Sequence, residues 1–178
     1  MNHSFFAKYG DVSLRPLNRD DTESLRVWRN NAENSRFLAP VPHITPEMQS
    51  LWFECYLEDE DYYVFAIDAE KLGFVGSVAL YGFAPGEVEF GRALIGHPNA
   101  RGRGIGYLAC VLCLYIGFTK FDVNKIRAFV YKENHAAVGA YKKGGFRIVG
   151  ERGGDEYVIE VKKDEFFEKH DFLKEVGL

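Results

Sequence analysis

The sequence predicts a mixed α/β domain, and three observations lead there. Three β-branched and aromatic runs, "YYVFAIDA", "LGFVGSVALYGF" and "PGEVEFGRALIG", follow one another in the middle of the chain, as in a strand meander. Stretches with helical periodicity stand on either side of this block. Strands and helices do not alternate strictly, which separates the pattern from a doubly wound parallel fold.

Taken in order, "DVSLRPL" places Val12, Leu14 and then Leu17 as an edge strand ended by Pro16. "RDDTESLRVWRNN" opens with Asp20 as a helix cap and Glu23 three residues on, and Leu25 and Trp28 share a face. "AENSRFLAPVPHI" has two prolines and little periodicity, so a loop is expected. In "TPEMQSLWFECYLED" Thr45 caps a helix and Pro46 takes its first turn, with Met48, Leu51, Trp52, Cys55 and Tyr56 on one face. After the meander, "YLACVLCLYIGF" reads as a buried helix, "KIRAFVY" as a strand and "NHAAVGAYKK" as a short helix closed by Gly144. "FRIVGERGGDEYVIEVK" is a hairpin turning at Gly153 and Gly154, and the last segment is a helix or a loose tail. The absence of repeats, linkers or low-complexity tracts predicts one domain over residues 1–178.

Bulk composition narrows the function. At 178 residues, with 47% hydrophobic and 27% charged content, the chain is long enough to bury a sizeable core. A net charge of −4 argues against general nucleic-acid binding. No uncharged run reaches the ~18 residues of a membrane span, and no secretory signal is expected, so the expectation is a cytoplasmic protein with no membrane partner. Cys55, Cys110 and Cys113 are too few for a disulfide scaffold. Cys110 and Cys113 spell C-x-x-C but lie inside the apolar run, and the five histidines show no H-x-x-x-H pairing, so no metal is expected.

One stretch stands out against this acidic background. "NARGRGIGYLAC" concentrates glycine and positive charge, and between Glu89 and Asp122 no acidic residue occurs while Arg92, Arg101, Arg103 and Lys120 do. It is not a P-loop, since no Gly-Lys-Ser/Thr follows, and Tyr107 stands where a dinucleotide fingerprint needs its last glycine. What fits is a backbone cradle for a pyrophosphate at a helix start; a plain strand-to-helix turn with solvated arginines is the alternative.

Arg101, Gly102, Arg103, Gly104, Ile105 and Gly106 match the [QR]-x-x-G-x-[GA] signature of the GNAT superfamily of N-acetyltransferases. Downstream, "NHAAVGAYKKGGF" resembles the family's N-x-x-A-x-x-x-Y-x-x-x-G-F segment, with Asn134, Ala137, Tyr141, Gly145 and Phe146 in register. The resemblance runs from "LRPLNRDD" to "YVIEVK" and is nearest to the branch of ribosomal-protein N-terminal acetyltransferases. It implies a central, mostly antiparallel twisted sheet flanked by helices, and acetyl-CoA as cosubstrate. On the same grounds residues 101–107, Tyr107 included, would hold the pyrophosphate and "RALIG" would pair with the pantetheine arm. Asn134 would cap a helix and touch the cofactor, and a backbone N–H near Leu94 or Ile95 would hold the oxyanion.

Acetyl transfer to an amine needs a proton acceptor for the ammonium and a weak acid for the departing thiolate. Tyr141 stands where the family places its catalytic tyrosine and takes the acid role. The glutamate some members carry five residues before the asparagine is Phe129 here, which leaves Glu89, Glu87, His43 or water as base. "RVWRNN" and "ITPEMQSLWFECYLEDEDYYVFAI" are similar to acetyltransferases acting on nucleotide-linked 4-amino sugars. Trp28, Arg29, Asn30, Arg36 and His43 are the candidate acceptor-binding residues, with Trp28 as a core anchor the simpler reading. A protein N-terminus or other small amine, and a CoA-binding module without turnover, are the competing functions. A homodimer is compatible with all three.

Overall fold

The computed structural model describes residues 3–175. Eight strands form one sheet: β1 (Ala7–Tyr9), β2 (Val12–Pro16), β3 (Tyr62–Ala69), β4 (Gly73–Ala84), β5 (Gly86–Ile95), β6 (Val123–Tyr131), β7 (Arg147–Arg152) and β8 (Glu156–Lys162). Their spatial order is β1-β2-β3-β4-β5-β6-β8-β7. Every neighbouring pair is antiparallel except β5 and β6. A parallel pair needs a crossover, and the helix α4 (Ile105–Lys120) supplies it. The sheet is therefore mixed, not purely antiparallel.

The helices divide between the two faces. α4 lies on one face and buries almost its whole length from Ala109 to Phe118 in the larger core, which is why its sequence carries no polar stripe. Cys110 and Cys113 are fully buried there, and desolvation pushes both thiols up. They are core residues. On the same side lie α5 (His135–Lys143) and α6 (Lys163–Lys169). The opposite face carries α1 (Thr22–Asn30), α2 (Ala32–Ser35) and α3 (Pro46–Glu58), over a second core that includes Leu17, Leu25, Phe53, Tyr56, Ala79 and Leu94.

Several sequence expectations need correction. β2 is not an edge strand, because β1 pairs along its outer side and Pro16 still pairs with Phe65 of β3. The chain enters α1 through a capping box between Asn18 and Asp21, not through Asp20. The expected loop after α1 contains the short helix α2, capped by the Asn31 side chain. On α3 the buried face is Gln49, Phe53 and Tyr56, while Met48, Leu51 and Cys55 are exposed. Three ring-bearing residues in five positions made that face ambiguous in sequence. The C-terminal segment forms α6 and a following 3-10 turn.

The feature that builds a site is the parting of β5 from β6. Their register runs from Gly86 opposite Val123 to Glu89 opposite Arg127 and then stops. β5 holds β4 beyond that point, but with one extra residue: Ala79 faces Gly91 and Ser77 faces Leu94. Arg92 sits in this bulge with φ 51°, the one non-glycine residue at positive φ among the described residues. A bulge bends its strand, and here β5 turns away from β6 and leaves a wedge in the middle of the sheet.

Candidate active site

A cavity of about 660 Å³ fills the wedge and runs out beneath α1 and α3. Tyr141, Asn134, Glu89, Leu94 and Arg29 all line it, so residues far apart in sequence meet at one place. Tyr141 enters from α5 and meets Phe90 edge to face, with ring centroids 5.5 Å apart. Burial pushes its phenol well above the ordinary tyrosine value, so it holds its proton at neutral pH. Asn134 caps α5 by accepting from the Ala137 N–H at 3.2 Å while also bordering the cavity.

The two candidate glutamates separate clearly. Glu87 is bound to Lys125 at 2.5 Å and Arg127 at 3.3 Å, and the Lys125 hydrogen bond holds its carboxyl below the usual range. It does not border the cavity. Glu89 does, and it accepts a hydrogen bond from Tyr81 Oη at 2.5 Å. Burial and then this bond push the Tyr81 phenol up, so the proton stays on Tyr81. The Arg92 guanidinium lies 4.8 Å from the Tyr62 ring centroid and 5.0 Å from that of Tyr81.

Of the expected acceptor residues, Arg29 alone lines this cavity. Its pKa is pulled down by burial and then by the positive charge of Arg92, which places two guanidinium groups in one enclosure. Trp28 belongs to the second core: it packs on Phe74 at 5.0 Å, and a Cβ on Gly96 would fall 2.0 Å from its indole. Asn30 clamps the strap after α2, exchanging bonds of 2.9 and 2.8 Å with the Ile44 backbone. Arg29 and Arg26 also donate to strap carbonyls, at Ala39 and Ile44. His43 is exposed and does not line the cavity. Arg36 stacks over Phe37 and borders a neighbouring cavity of about 790 Å³ that shares Phe37 and Tyr131 with the first.

Between β5 and α4 the chain makes a 3-10 turn at Pro98–Ala100 and then the glycine turn 101–104, and residues 105–107 open α4. Gly102 and Gly104 both take positive φ, 72° and 76°, and a Cβ on either would meet no atom within 4 Å. Their backbone is therefore bare on the outside. α4 starts at Gly104 with no side-chain cap, so its first N–H groups point free, as anion binding requires. Arg101 is tied back to Glu33 at 2.8 Å and to Asn34, and Lys143 lies 4.3 Å from the Tyr107 ring centroid. These residues fit the pyrophosphate of a coenzyme A thioester: bare backbone donors, uncapped helix N-terminus, cations beside it. Ile95, the last residue of β5, lies between the turn and the wedge. No cluster of three or more His, Cys, Asp or Glu able to hold a metal exists among the described residues, and none of their helices is long and apolar enough to cross a membrane.

Tyr62, Tyr81, Gln49 and Ser77 line the cavity without having been singled out in the sequence, and Arg92, counted there only among the cations around the glycine turn, lines it too. The bulge that places Arg92 arises from the register between β4 and β5, which neither strand shows by itself. The others look like ordinary strand or helix positions.

A wedge in a mixed sheet beside an uncapped glycine turn joins an anion-binding end to a cavity lined by Tyr141 and Glu89, an arrangement suited to group transfer from a phosphate-bearing donor. The family model for the acetyltransferase (GNAT) domain matches residues 11–147, and the chain belongs to that family. It is 32% identical over 142 residues to spermidine N(1)-acetyltransferase of Escherichia coli K12, spanning 79% of this chain and 75% of that protein. The fold matches spermidine N-acetyltransferase from Vibrio cholerae, solved with CoA and spermine, at a TM-score of 0.80 and 20% identity, over 88% of this chain and 98% of that one. It matches apo FdhC, a nucleotide-linked sugar GNAT, at 0.81 and 18% identity, over 97% and 98%.

Proposed function

We propose that this GNAT N-acetyltransferase moves the acetyl group of acetyl-CoA to an amine on an anionic small molecule, a nucleotide-linked 4-amino deoxy sugar. The observation that carries the acceptor class is the pair Arg29 and Arg92 in the cavity wall. Of the two carboxylates there, Glu156 is paired with Arg152 at 2.7 Å, and Glu89 keeps its charge while accepting from Tyr81, so two guanidinium groups stand against one carboxylate. A polyamine would bring like charge to these groups; at 4 Å each such contact costs about 1 kcal/mol in water and about 4 at an effective dielectric of 20. A phosphate ester gains instead. The strap that roofs the cavity, pinned by Asn30 and Arg29, favours a small acceptor over a protein N-terminus.

Acetyl-CoA supplies an acetyl group activated as a thioester. The chain's own residues do the rest. The backbone of residues 102–106 holds the anionic end, and the free edge of β5 past Glu89 offers peptide groups to the pantetheine arm and the oxyanion. Glu89, which has no ion pair among the described residues, accepts the amine proton directly or through water. Tyr141 Oη keeps its proton available for the departing sulfur.

Steady-state kinetics on Arg29→Ala and Arg92→Ala test this reading. Each is expected to raise the KM for a UDP-linked 4-amino-4,6-dideoxyhexose by about tenfold or more, as for loss of a charge-assisted bond, with the acetyl-CoA KM unchanged. A KM that falls in either variant would reject an anionic acceptor.

A further inference from the structure

Two cavity residues break the pattern of the core they sit in. Ser77 lies on β4 opposite Leu94 of β5 and Ala66 of β3, on the face that carries the second core, and is only 7% exposed. Gln49 occupies the inner face of α3 with Phe53 and Tyr56, at i, i+4 and i+7, and is likewise 7% exposed. Both border the cavity, and neither side chain has a hydrogen-bond partner among the described residues. Among the described residues the one fully buried side-chain polar atom without a partner is His97 Nδ1, so the Gln49 amide and the Ser77 hydroxyl reach the cavity space and stay free to bond a ligand there.

Resting on the acceptor class proposed above, we infer that Gln49 and Ser77 read the hydroxyl groups of the acceptor's body and set specificity for a hydroxylated ring over a bare alkyl amine. The amide offers two donors and an acceptor and the serine one of each kind, which matches the mixed donor and acceptor character of sugar hydroxyls. Their position under α3, across the cavity from Tyr141 on the other face of the sheet, assigns them to the acceptor and not to the coenzyme. A site built this way rejects analogues that leave its polar groups unpaired.

Ser77→Ala, which removes one atom, and Gln49→Leu separate this role from a structural one, using thermal unfolding together with steady-state kinetics on UDP-linked 4-amino-4,6-dideoxyhexose. The expected result is an acceptor KM raised about tenfold in each variant, with the acetyl-CoA KM and Tm unchanged. Turnover of the nucleotide sugar with unchanged acceptor KM in both variants overturns the inference while leaving the proposed function standing. If wild-type turnover is confined to hydroxylated amines without phosphate, such as glucosamine, and KM still rises in the variants, the inference holds and the nucleotide assignment falls. Should Gln49→Leu fail to fold, Ser77→Ala decides alone.

Discussion

Replacing Gly104 by alanine and, separately, Gly139 by alanine makes the same chemical change at two open sites with opposite expected signs. Neither added Cβ meets an atom within 4 Å, so packing contributes nothing in either case. Gly104 sits at φ 76°, where an alanine costs about 1–2 kcal/mol. Gly139 lies inside α5, where alanine is favoured over glycine by about 0.5–1 kcal/mol. For a chain of this size 1 kcal/mol moves Tm by about 2–4 °C. Gly104→Ala should therefore lower Tm by about 2–8 °C and Gly139→Ala raise it by about 1–4 °C. Thermal unfolding with and without acetyl-CoA reads a second effect. Acetyl-CoA at a hundred times its Kd adds about 2.7 kcal/mol to the wild type, and this gain should shrink in Gly104→Ala alone, because the turn that presents the α4 N-terminus is altered there. Tm shifts of the same sign, or an acetyl-CoA stabilisation equal in both variants, would refute the reasoning.

Tyr141→Phe should lower kcat by about 10²–10⁴-fold, as for loss of a general acid. Acetyl-CoA binding and Tm should hold, since Tyr141 Oη has no hydrogen-bond partner among the described residues; a kcat near wild type would remove it from the acid role. Stability should fall on acidification through the histidines. His170 is 4% exposed with Nε2 3.0 Å from the Gly144 carbonyl, and burial lowers its pKa below 6.5, as it does for His3. The unfolded chain thus binds these protons more tightly, so the stability they contribute is present above about pH 6.5 and is lost below it. A Tm profile from about pH 7.5 to 5 should be less steep in His170→Gln, and an identical slope would assign the acid sensitivity elsewhere.

How much the sequence could tell depended on whether a feature was local. The turn at Gly102 and Gly104, the buried α4 and the Asn134 cap are set by neighbouring residues, and they were legible as residue types at fixed spacing. Tyr141 was singled out through the resemblance of the segment from Asn134 to Phe146 to the GNAT family, and it lines the cavity. The bulge at Arg92 was not legible, because it arises from a register mismatch between two strands, and sequence shows each strand but not their pairing. The same holds for Tyr81 and Glu89, eight residues apart yet joined across β4 and β5. Trp28 and Asn30 were acceptor candidates through the resemblance to nucleotide-sugar acetyltransferases, with a core anchor the simpler reading of Trp28, and His43 through its proline-flanked loop; the folded chain uses Trp28 as that anchor and Asn30 as a clamp on the strap, and leaves His43 outside the cavity. Gln49 went unnoticed because three aromatic neighbours on α3 obscured which face points inward.

The most direct test of the acceptor assignment is the ratio of kcat/KM for a UDP-linked 4-amino-4,6-dideoxyhexose to that for spermidine, measured by CoA release at saturating acetyl-CoA. The guanidinium pair predicts a ratio of about 10² or more in favour of the nucleotide sugar, from two like-charge contacts relieved at about 1–2 kcal/mol each. A ratio below one, with spermidine the better substrate, would contradict it.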